Sequence, residues 1–111
     1  MAAYKLTVRR RGVTRRERFA SLPEALAALE ARLDELAPGE RRGPERGLVR
    51  EVEPVQQVAL RGEVSGPGAR GGIDVRGDGS AEAFTGRWRR VLVERRPGET
   101  AHDALRRALG S

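Results

Sequence analysis

Apolar and polar residues alternate from the start of the chain. Tyr4, Leu6 and Val8 interleave with Lys5, Thr7 and Arg9, the period of a half-buried strand. Gly12 marks a turn, and a return strand is predicted over Val13 to Phe19. An even-length loop sets even positions of the first strand against odd positions of the second. One face then holds Tyr4, Leu6, Val8, Val13 and Phe19, with Arg15 and Glu17 among them. The other holds Lys5, Thr7, Arg9, Thr14, Arg16 and Arg18, a face with cations and no acid. An odd loop would strand Phe19 away from the apolar set, so register follows the residues to be buried.

Over residues 21–37 the period changes to that of a helix. Leu22, Leu26, Leu29, Leu33 and Leu36 form one stripe. Ser21 is the expected N-cap, with Glu24 completing a capping box and Pro23 in the first turn. Pro38-Gly39 is expected to stop the helix, and residues 38–47 to form a mobile loop. Leu48 to Val64 is rich in strand formers and interrupted by Pro54. Ser65 to Gly72, with its glycines and Pro67, reads as a flexible connection. Ile73 and Val75 open the next strand, and Asp78-Gly79 signals a hairpin turn. Ser80 to Thr85 returns, and Arg87 to Arg95 is predicted as a last strand carrying Trp88, Val91, Leu92 and Val93. A final helix over 100–109 has Thr100 as cap, a stripe of Ala101, Ala104, Leu105, Ala108 and Leu109, and Gly110 as its stop.

The order ββαβββ(β)α predicts an α+β fold. Strands that arrive in hairpins imply a two-layer architecture, a mainly antiparallel sheet with two helices on one face. The whole chain, 1–111, is expected to form one compact domain.

Composition narrows the chemistry. There is no Cys, which excludes disulfides, thiolate catalysis and thiolate zinc sites. No cofactor is expected. No apolar run approaches the ~18 residues of a membrane span, and the N-terminus lacks an apolar signal region, so a cytoplasmic setting without membrane contact is expected. Lys plus Arg number 22 against 16 Asp plus Glu, a net charge of +6. Lys5 is the only lysine. Abundant Ala and Gly beside Arg are the mark of a GC-rich coding sequence, so the choice of Arg over Lys carries little meaning. The sign and placement of the charge are independent of codon bias. The first twenty residues alone carry seven cations and one acid, while the outer surface of the first helix is acidic through Glu24, Glu30, Asp34 and Glu35.

The cations Lys5, Arg9, Arg10, Arg11, Arg15, Arg16 and Arg18 form the main candidate site, an array able to track phosphates. The plain alternative is a solvated strand face whose charges keep a sheet edge from pairing. Arg87, Trp88, Arg89 and Arg90 form a second candidate, in which the indole would stack on an unpaired base. A structural role for this single Trp, given the area one indole buries, is the favoured explanation. Arg76-Gly77-Asp78 matches an adhesion tripeptide, but Asp78-Gly79 already has a turn to make. His102 with Glu99 and Asp103 resembles a metal or acid–base cluster, yet acids in a first helical turn are explained by the helix dipole. No catalytic constellation stands out. The expected function is a small non-enzymatic module that contacts a polyanion (RNA, the ribosome or DNA) without sequence preference. The alternative is a protein-interaction or self-association module.

Overall fold

The computed structural model describes residues 3–45, 58–86 and 89–110, and of 37–45 the backbone alone. Six strands form one antiparallel sheet in the order β2-β1-β3-β4-β5-β6. These are β1 (Tyr4–Arg10), β2 (Val13–Phe19), β3 (Val58–Gly66), β4 (Ala69–Arg76), β5 (Ala81–Thr85) and β6 (Val91–Val93). The helices α1 (Leu22–Glu45) and α2 (Ala101–Leu109) cover one face. No helix among the described residues is long and apolar enough to cross a membrane.

The opening hairpin has the expected register. Tyr4 faces Phe19, Lys5 faces Arg18 and Thr7 faces Arg16. Its loop is Arg11-Gly12, with φ of 50° and 83°. A two-residue turn with both φ values positive matches the right-handed twist of the strands it joins. Leu6 and Val8 point to the helices together with Leu60, Val64, Ile73, Val75 and Ala83 from the other strands. Ala25, Leu26, Leu29 and Leu33 of α1 and Ala101, Ala104 and Leu105 of α2 close the core over them. A side chain at Gly62 would collide with Leu29, so this glycine seats α1 against the sheet. Glu17 takes two bonds from Arg32, at 2.8 and 3.0 Å, tying β2 to α1. Arg106 reaches Glu30 and ties the two helices.

Several boundaries differ from expectation. The helix does not stop at Pro38-Gly39; α1 runs on to Glu45. A proline's fixed φ is itself compatible with a helix, which continues past it at the cost of one backbone hydrogen bond. Glu40, Arg41 and Arg42 beyond it are good helix formers. The mobile loop expected over 38–47 is therefore helical through Glu45, and 46–47 lie outside the described residues. So does the 48–57 part of the expected β-rich stretch. Residues 65–72 are no loose connection. Pro67-Gly68 turns a tight hairpin, and β4 begins at Ala69. A strand paired on both sides draws its stability from two ladders, which outweighs the poor strand propensity of glycine. Of the strand expected over 87–95, Val91–Val93 is strand while 89–90 and 94–95 are not, and 87–88 lie outside the described residues. After Val93 the chain turns towards α2: Arg107 binds the Glu94 carbonyl at 2.9 Å, and Glu99 accepts from the Arg96 N–H at 2.8 Å.

Candidate functional site

The sheet has a second face, turned away from both helices. Strand register puts residues of one parity there, and they fall into cross-strand rows. The first row is Arg18, Lys5, Ser65 and Arg70. The second is Arg16, Thr7, Glu63, Gly72, Phe84 and Leu92. The third is Thr14, Arg9, Arg61, Asp74 and Glu82.

The third row and the far end of the second neutralise themselves. Arg61 grips Asp74 with two bonds, at 2.5 and 3.1 Å. Hydrogen bonding to Asp74 raises the Arg61 pKa against the opposing effect of its burial. Arg76 reaches Glu82 at 2.6 Å. Glu63 is shared by Arg9 at 3.4 Å and Arg90 at 3.2 Å. Phe84 lies among these charges yet is only 1% exposed. Gly72 opposite it has no side chain to hold the ring off: an added Cβ would come within 2.8 Å of Phe84 Cζ. The guanidinium of Arg90 covers the ring at 4.6 Å from its centroid, and that of Arg61 at 5.9 Å, an arrangement favoured by the ring's quadrupole.

The remaining corner is different. Lys5, Arg16, Arg18 and Arg70 form no salt bridge with any described residue, and Arg16, Arg18 and Arg70 are exposed. Between them stand the hydroxyls of Thr7 and Ser65, and the adjacent acid, Glu63, is engaged by Arg9 and Arg90. With strands about 4.8 Å apart, the row from Arg18 through Lys5 and Ser65 to Arg70 spans about 14 Å.

The hairpin cations expected to act together are thus divided. Lys5, Arg9, Arg16 and Arg18 share the open face, and Arg9 is engaged by Glu63. Arg10, Arg11 and Arg15 instead line a cleft on the helix side with Val8, Val13 and Leu36. Arg15 also helps Arg32 hold the Glu17 pKa down, the Arg32 hydrogen bond being the larger cause. In the second candidate group, Arg89 is exposed and Arg90 is the lid on Phe84; Arg87 and Trp88 lie outside the described residues. Arg70 was missed by the sequence reading, although Pro67-Gly68 is a turn signal that places it on a strand.

The other candidates are occupied by local structure. Asp78 accepts from the Ser80 N–H at 2.9 Å inside its turn. Asp103 and Thr100 bind each other's backbone N–H, at 3.0 and 3.1 Å, in a capping box. Glu99 takes two bonds from Arg107, and these, with the Arg96 N–H, hold its pKa down to about 2. Burial lowers the pKa of His102 despite nearby Glu30 and Asp34. No family model, curated protein or solved structure matches the chain.

Proposed function

We propose that the protein is a non-catalytic module that binds the phosphate backbone of nucleic acid through the open corner of its sheet. One observation carries this reading: Lys5, Arg16, Arg18 and Arg70 come together from three strands around the hydroxyls of Thr7 and Ser65, and the adjacent acid, Glu63, is already taken by Arg9 and Arg90. Elsewhere on this face the arginines are answered by Glu63, Asp74 and Glu82, which makes the unanswered corner a local concentration of positive charge. Cations on a strand surface neutralise phosphates and release their counterions, giving affinity without base reading. Among the described residues of this face the aromatic ring is that of Phe84, and it is buried and closed to a base.

The test is fluorescence anisotropy with a labelled single-stranded RNA and a labelled DNA duplex over a range of salt. Four phosphate contacts give a slope of log K against log salt of about −3 on single strands and about −4 on duplex. The variant Lys5→Gln/Arg16→Gln/Arg18→Gln/Arg70→Gln is expected to lose most of the affinity and flatten the slope. Binding equal to that of the parent would sink the proposal. A protein-contact reading is favoured by a different feature, the exposed Val91 and Leu92 of the last strand.

A further inference from the structure

Among the described residues the sheet ends on β2 and β6, and these two edges differ in how they meet a second strand. The β2 edge carries Arg15, Arg16 and Arg18 in sequence with Thr14, and such charge on an edge discourages pairing. The β6 edge carries Val91 and Leu92, 55% and 63% exposed. Among the described residues β6 pairs with β5 alone.

The hydrogen-bond ladder shows what that edge offers. Gly86 donates to the Arg70 carbonyl at 3.0 Å and Arg76 to the Ser80 carbonyl at 2.8 Å. Both pairs lie on the β4–β5 register. Bonding alternates along an antiparallel ladder, so Glu82 and Phe84 direct their backbone groups to β4. Ala83 and Thr85 direct theirs to β6, where they face Val93 and Val91. Leu92, between those two, turns its N–H and its C=O outward.

We propose that β6 pairs antiparallel with β6 of a second copy of this chain, about a two-fold axis at Leu92. In that register the two Leu92 residues exchange both outward hydrogen bonds. Val91 stands opposite Val93 of the other copy, and Arg90, whose guanidinium also meets Glu63 at 3.2 Å, opposite Glu94, each twice. A two-fold centred on Val91 or Val93 aligns no Arg with a Glu and meets backbone groups already bonded to β5. Charge complementarity and bonding parity therefore select the same register. Arg89 meets Arg95 one step further out, which confines the pairing to residues 90–94. So short a contact falls below the ~1,200 Å² of a stable interface, so the dimer is transient and depends on concentration.

Sedimentation velocity on the full chain tests this, with protein rising to about 1 mM, where interfaces this small assemble. The average mass is expected to climb from that of one chain towards that of two. Leu92→Pro removes an N–H that serves no bond within the sheet, and an edge strand accepts it. Glu94→Arg replaces both Arg–Glu pairs with Arg–Arg pairs while altering an exposed side chain. Each is expected to raise the dimer Kd about tenfold or more with an unchanged circular dichroism spectrum. Should Leu92→Pro disturb the fold, Glu94→Arg alone decides. A wild-type chain that stays monomeric throughout, or a Glu94→Arg chain that associates as the wild type does, overturns the proposal.

Discussion

Phe84 shows how much a single residue on an open sheet face depends on what stands across from it. Its parity turns it away from both helices, and it is nevertheless among the most completely buried side chains. Gly72 provides the floor and two guanidinium groups the roof. A β-branched side chain at position 72 would strike both the ring and the Gly62 carbonyl. Gly72→Val is therefore expected to destabilise the fold by about 1–3 kcal/mol, the usual cost of overpacking, as measured by urea denaturation. A loss below about 0.5 kcal/mol, the range of an ordinary surface change, would contradict this account. None of it was legible in the sequence. A glycine run looks like a linker until a partner strand and an aromatic ring are placed against it.

Elements whose signals are local were read correctly. The first hairpin, the Leu stripe of α1 and the caps of α2 each follow from a few adjacent residues, and the structure keeps them. The errors arose where long-range pairing or the tolerance of a helix for proline decided, at 38–45 and 65–72. The start of α2 has its own pH dependence. Glu99 falls from 4.5 to about 2, chiefly through Arg107, and Asp103 is also lowered, through Thr100. A carboxyl whose pKa drops on folding binds fewer protons in the folded state than in the unfolded one. Its stabilising effect is whole above its unfolded pKa and is lost as pH falls through the folded value. The melting temperature is expected to decline from about pH 4.5 towards pH 2, with a shallower decline for Glu99→Gln. An identical profile for that variant would show that the Arg107 contact does not contribute.

At the scale of the molecule, three of the four cations of the candidate site could be seen beforehand. Hairpin parity puts Lys5, Arg16 and Arg18 on one side, but Arg70 joins them only because β3 and β4 lie beside β1. The same order gives β1 two neighbours of very different kinds. β2 follows it within the hairpin, whereas β3 comes from the far side of α1, pairing Leu6 with Val64. Bonding alternates here too: the Leu6 and Val8 amides serve β2, and the Lys5, Thr7 and Arg9 amides serve β3. Hairpins close in microseconds, while a long loop must pay its entropy first. The line between β1 and β3 is thus expected to act as a seam, the contact made last in folding. In native-state hydrogen–deuterium exchange, Lys5, Thr7 and Arg9 are expected to take up deuterium faster than Leu6 and Val8. Equal protection of the two sets would mean that the molecule opens as one piece. A seam that parts first would also divide the cationic row, separating Lys5 and Arg18 from Arg70, so that the assembled corner exists only while the halves are joined.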